Sequence, residues 1–152
     1  MPKPIFVLNG PNLNMLGIRE PDVYGHETLE DLRQRCEAQC ASHGYDMVFR
    51  QSNKEREIVD WLNEAATNAA AVVINPAAYS HTSIAFHDAI KGMQTPVVEC
   101  HLSNPMAREA FRHVSMVSLV AKAVIVGLGF KGYDLAIDAA AHLAAAAAAP
   151  KA

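Results

Sequence analysis

Cysteine is scarce: Cys36, Cys40 and Cys100 are the only three in a chain of 152 residues. An odd number without CxxC spacing argues against a disulfide framework or a structural zinc site, so reduced thiols in a cytoplasmic protein are expected. Basic charge is not in excess. Thirteen Lys and Arg stand against 16 Asp and Glu, a formal net charge of -3, and the cations are dispersed along the chain. That pattern gives no electrostatic footprint for a nucleic-acid backbone or an anionic membrane. Long apolar runs are missing too. No stretch approaches the ~20 apolar residues of a membrane span, and the N-terminal MPKPIFVLNG is too short in its apolar part for a signal peptide. Seven histidines are present, but no HExxH or comparable ligand spacing, so a metal is not expected.

What remains is 51% hydrophobic and 19% charged, a composition that excludes a disordered chain and fits one packed domain spanning residues 1–152. Ile5 to Leu8 is an apolar run stopped by Asn9-Gly10-Pro11-Asn12, which predicts a buried strand and a tight loop. Thr28-x-x-Asp31 reads as an N-cap pair, and Leu29, Leu32, Cys36 and Cys40 follow at helical spacing until Gly44. Tyr45, Met47 and Phe49 alternate as in a strand, and Ile58, Trp61, Leu62, Ala65 and Ala66 return to helical spacing. Ala71 to Ile74 is a third strand, Ser83 to Lys91 a helix ended by Gly92, Pro96 to Cys100 a fourth strand and Val124 to Val126 a fifth. A closing helix is predicted after Gly132, with residues 140–152 as its end and an alanine-rich tail. Apolar strands separated by helices imply an α/β fold, a flavodoxin-like doubly wound sandwich on a five-stranded parallel sheet. Its site belongs at the carboxyl ends of the strands. The Gly10 to His26 segment, without periodicity, is a candidate lid.

Polar residues gather where that fold places ligands: Asn9 and Asn12 after the first strand, Asn75, Tyr79 and His81 after the third, Glu99, His101, Ser103 and Asn104 at the fourth. An Asn at one strand end is ordinary turn chemistry; three such ends in one crevice are not. Glu99 and His101 are two apart on a strand, so they share a face, where a carboxylate orients an imidazole and favours its charged form. The alternative is a polar pair that only satisfies itself. Arg108 and Arg112 are four apart and, on a turn of helix, share a face able to hold hydroxyl or carboxylate oxygens. By spacing alone a solvated basic face explains them as well. Arg19 and Tyr24 lie in the candidate lid, where a guanidinium would favour a phenolate; taken alone they are also ordinary loop residues.

Gly127 to Gly132 matches GxGxxG after a strand, the setting of a dinucleotide site. The chain ends 20 residues after Gly132, with no further strand to carry the acidic ribose ligand. These glycines are read as a tight turn with close packing.

Four blocks, NGPNLNMLGIREPDVYG from Asn9 to Gly25, NPAAYSHTS from Asn75 to Ser83, ECHLSNPMAREAFRHVS from Glu99 to Ser115 and VIVGLGFKGY ending at Tyr133, together resemble the type II 3-dehydroquinases. The likeness covers almost the whole chain. It implies dehydration of 3-dehydroquinate to 3-dehydroshikimate by anti elimination through an enolate, without a cofactor, in the shikimate pathway or in quinate breakdown. It assigns Tyr24 as the base at C2, Arg19 as the lid residue that stabilises its phenolate, and His101 as the acid at the C1 hydroxyl. Glu99 orients His101, and Asn12 stabilises the enolate through water. Substrate contacts fall on Asn75, His81, Asp88, Leu102, Ser103 and Arg112, with Arg108 in the surrounding network. Asp88 lies about five residues into its helix, ~7 to 8 Å from the crevice end. The resemblance therefore implies that it completes a neighbour's site within a trimer, four of which form a homododecamer. The family more often has Gly at Ala77, Thr at Ser80 and Leu at Met15. A rival reading as a flavin or receiver module fails for want of a phosphate loop and of acidic strand ends. A Schiff-base route needs a lysine in the crevice, and Lys91 and Lys122 flank elements instead.

Overall fold

The computed structural model describes residues 2–150, with the side chains of Val23 and Tyr24 outside the described set. Five short apolar segments pair into one parallel sheet: β1 (Ile5–Asn9), β2 (Met47–Gln51), β3 (Ala71–Asn75), β4 (Val97–His101) and β5 (Ala123–Val126). Their spatial order is β2-β1-β3-β4-β5. This is the flavodoxin-like doubly wound order, in which the winding reverses between β1 and β3 and opens a crevice beyond the carboxyl ends of those strands. The register sets Asn9 beside Asn75 at that point. The expected α/β sandwich on a five-stranded parallel sheet is therefore the fold.

Burial of both sheet faces explains why β1 and β3 read as nearly continuous apolar runs. Ile5, Val7, Val73, Val98 and Cys100 face one core, and Phe6, Leu8, Val72, Ile74 and Val97 face the other. Covering the first face are α2 (Leu29–Ser42), through Leu32, Cys36 and Cys40, and α5 (Phe130–Ala148), through Tyr133, Ala136, Ile137 and Ala140. On the second face α3 (Glu55–Asn68) brings Ile58, Leu62 and Ala65, and α4 (Ile84–Lys91) brings Phe86 and Ile90. Full burial of each such aliphatic side chain stabilises by about 1.5–3 kcal/mol before chain entropy is counted.

Helix starts follow their caps. The Thr28 hydroxyl accepts from the Asp31 amide at 3.2 Å while the Asp31 carboxylate accepts from the Thr28 amide at 2.9 Å, a complete capping box at the start of α2. Ser83 caps α4 by accepting from Phe86 N. The last helix differs from the expectation: α5 begins at Phe130, with Gly129 as its N-cap, so Gly132 lies inside the helix. A helix-interior glycine is tolerated because packing against the sheet outweighs its propensity penalty of roughly 1 kcal/mol. The alanine run is helical as far as Ala148; Ala140, Ala141 and Ala144 are buried and residues 145–150 are exposed, so the expected helix end packs on the sheet and its last turn stands in solvent. The candidate lid contains a 3-10 turn at Leu13–Met15 and a single helical turn, α1 (Pro21–Tyr24). No helix among the described residues is long and apolar enough to cross a membrane.

Candidate active site

Beyond the carboxyl ends of β1, β3 and β4 lies an open crevice, the place where a doubly wound sheet holds small-molecule ligands. Asn12 and Arg19 line it from the segment after β1, Asn75 and His81 from the end of β3 and the turn beyond, and His101, Leu102, Ser103, Arg108 and Arg112 from β4 onward. No lysine is among the described residues that line it.

The floor depends on a close backbone approach. A Cβ on Gly10 would sit 2.5 Å from the Pro76 carbonyl oxygen, so only glycine lets the turns after β1 and β3 touch there. Gly10 N donates to Asn75 O across that contact at 2.8 Å. Asn12 is left-handed, with φ +68°, and its amide donates to the Asn53 side-chain oxygen at 2.9 Å. Gln51 donates to the same oxygen and to Gly10 O. Gln51 and Asn53 thus hold the Asn12 turn from the β2 side; no local pattern marks them, because they act 41 residues away.

The wall at β4 carries the charge. Glu99 is fully buried, and His101 Nε2 lies 2.5 Å from its carboxylate, on the same strand face. Ser115 Oγ donates to that carboxylate at 2.8 Å and Ser118 Oγ donates to its other oxygen. Burial alone would push the Glu99 carboxyl up, but hydrogen bonds from His101, Ser118 and Ser115 outweigh it and hold the group below its ordinary value. Glu99 is thus a committed carboxylate. With His101 Nε2 engaged by it, Nδ1 is the nitrogen left to deliver a proton. A depressed carboxyl contributes stability above its unfolded value, near pH 4.3, and loses it as pH falls through the folded value. The melting-temperature difference between wild type and Glu99→Gln is therefore expected to shrink from pH 6 to pH 3. A constant difference across that range would mean that Glu99 is not held ionised.

His81 faces the crevice with its tautomer set, since Nδ1 lies 2.8 Å from the Val114 carbonyl, an acceptor only, and must carry the proton. Arg108 reaches Ser103 Oγ at 3.4 Å, and Arg112 pairs with Glu109 at 3.1 Å and stacks over Phe111. The two arginines do not share a helical turn. Two separate 3-10 turns, Pro105–Ala107 and Ala110–Arg112, are split by extended backbone at Arg108 and Glu109. Both nevertheless line the crevice.

Some expected contributors lie elsewhere. Asn9 is buried and donates to Arg50 O, the Tyr79 hydroxyl donates to Asn53 O, and Asn104 caps its own turn at Met106 N. Asp88, the fifth residue of α4, is largely exposed beside His87 and does not line the crevice of its own chain. The Tyr24 side chain lies outside the described residues. Among the described residues no three His, Cys, Asp or Glu side chains come together as a metal site would require.

A family model described as Dehydroquinase class II matches residues 3–141. The chain belongs to that family. It is 59% identical over 144 residues to a 3-dehydroquinate dehydratase of Phenylobacterium zucineum (strain HLK1), covering 95% of this chain and 99% of the relative. It is also 59% identical over 140 residues to a 3-dehydroquinate dehydratase of Caulobacter vibrioides, covering 92% and 96%. The crystal structure of the type II dehydroquinase from Propionibacterium acnes superposes with a TM-score of 0.89 at 46% identity, covering 93% of this chain and 98% of that one. The type II dehydroquinase from Butyrivibrio crossotus gives 0.88 at 43%, covering 91% and 97%.

One backbone position in the crevice is strained. Ala77 sits at φ +52°, its amide donating to the Asn75 side-chain oxygen at 3.1 Å. The left-handed region costs an L-residue about 1–2 kcal/mol and glycine nothing. Ala77→Gly is expected to stabilise this chain by about 0.5–1 kcal/mol after glycine's greater unfolded-state entropy, raising Tm by roughly 2 °C. A lowered Tm would show that the turn relaxes away from φ +52° in solution.

Proposed function

We propose that this chain, as one catalytic domain, dehydrates 3-dehydroquinate to 3-dehydroshikimate without a cofactor. The observation that carries the reading is the buried Glu99–His101 couple opening onto a crevice floored by Asn12 and Asn75. Tyr24, as phenolate, takes a proton from C2, next to the C3 ketone, and Arg19 in the same segment favours the phenolate. The resulting enolate is stabilised by Asn12 through water. His101 then protonates the departing C1 hydroxyl, so water leaves anti to the abstracted proton and the C1–C2 double bond forms. Glu99 holds and orients the imidazole for that step. Asn75, His81, Leu102, Ser103 and Arg112 hold the substrate, and Arg108 completes the polar network. The reaction serves the shikimate pathway or quinate catabolism in the cytoplasm. Absorbance of the conjugated enone when purified protein receives 3-dehydroquinate tests the reading, and no enone from folded protein would overturn it.

The working assembly is a homododecamer, a tetramer of trimers, in which Asp88 completes the site of a neighbour. Its exposed position on α4 supports this, as do the exposed apolar side chains Ile84, Met106, Leu119 and Val124. Asp88→Ala and Tyr24→Phe chains, each poorly active alone, are expected to regain part of the activity when unfolded and refolded together. Mixed oligomers with no more activity than the sum of the parents would exclude a shared site.

A further inference from the structure

The glycine-rich segment that leads into α5 binds no nucleotide in the reading above, yet the first turn of that helix carries Tyr133, the largest fully buried side chain of the described residues. A buried tyrosine needs a partner for its hydroxyl, and the partner here is 124 residues away: Tyr133 donates to Asn9 Oδ1 at 2.7 Å. Asn9 is the last residue of β1 and stands in register beside Asn75, the last residue of β3. The Asn75 side-chain oxygen accepts from the Ala77 amide, and the Asn75 side chain adjoins the Tyr133 hydroxyl, where it offsets part of the effect of burial on the phenol. Burial pushes the phenol well above its ordinary value, which keeps it a neutral donor at every working pH.

The glycines deliver the helix to this point. Gly127, at φ +87°, lies against Asn104 Cβ, where a Cβ of its own would come to 3.4 Å. Gly129 N donates to Leu102 O at 2.9 Å, tying the start of α5 to the crevice wall. One helical turn later Tyr133 reaches under the ends of β1 and β3.

We propose that Tyr133 is a positioning residue, its hydroxyl clamping Asn9 to Asn75 and so fixing the Asn75 amide in the crevice. This inference rests on the dehydratase reading and on Asn75 as a substrate contact. Asn75 holds substrate and transition state alike, so its misplacement raises KM more than it lowers kcat. A tyrosine that only fills the core would lower stability and leave both constants alone.

The test is a double-mutant cycle with 3-dehydroquinate as substrate. Tyr133→Phe is expected to raise KM about ten-fold, the scale of one lost hydrogen bond, with kcat within about three-fold of wild type. On the Asn75→Ala background the same substitution is expected to change KM less than two-fold. Asn9→Ala removes the clamp from its other side and is expected to repeat both results, which covers a Tyr133→Phe chain that does not fold. An unchanged KM in the folded single variants, or a full ten-fold effect on the Asn75→Ala background, overturns the inference. A folded wild type that makes no enone would instead overturn the dehydratase reading.

Discussion

Tyr24→Phe is expected to fold as the wild type does and to lose about 10³-fold or more in kcat, with KM changed little. The substitution removes one hydroxyl from a segment at the rim of the crevice, so little binding surface is lost. General-base catalysis contributes about 10²–10⁴-fold, so removing the group that takes the C2 proton is expected to cost at least that range. Steady-state kinetics with circular dichroism as the folding control make the comparison. Turnover near wild type would remove Tyr24 from the mechanism.

His101→Ala is expected to separate the two halves of the reaction. Loss of the C1 hydroxyl should fall about 10²–10⁴-fold for want of its acid. Exchange of the C2 proton with solvent deuterium, which precedes that step, should fall far less. The couple's geometry motivates the distinction: His101 is held at the crevice wall by a carboxylate that is itself held by two serines, which fixes the ring where the leaving hydroxyl is expected. Exchange followed by NMR in the variant gives the answer. Equal loss of exchange and dehydration would mean that His101 also positions substrate for proton abstraction, or that the order of steps is reversed.

The parts legible from sequence were those set by neighbours along the chain. Strand positions followed from apolar runs stopped by Asn9 and Asn75, the start of α2 from Thr28 and Asp31, and the Glu99–His101 pair from the two-residue repeat of a strand. What escaped depends on contacts between distant residues. Ser115 and Ser118 reach Glu99 from 16 and 19 residues on, Asn53 reaches Asn12 across 41, and Tyr133 reaches Asn9 across 124. Such serines and asparagines look like ordinary loop residues until the chain is folded. Two local rules also misled. Spacing placed Arg108 and Arg112 on one helical turn, whereas the turn after Pro105 ends at Ala107 and extended backbone separates them. Glycine usually marks a helix boundary, which predicts a start after Gly132; Gly129 is the cap instead, and packing on the sheet carries the helix through Gly132.

Proton transfer in a crevice whose described lining holds no lysine is the core of the proposed mechanism, and an imine route would contradict it. The direct test exposes the protein to borohydride with 3-dehydroquinate present, removes both, and measures enone formation from fresh substrate. A rate equal to that of untreated protein is expected; inactivation with a stable mass adduct on a lysine would contradict it.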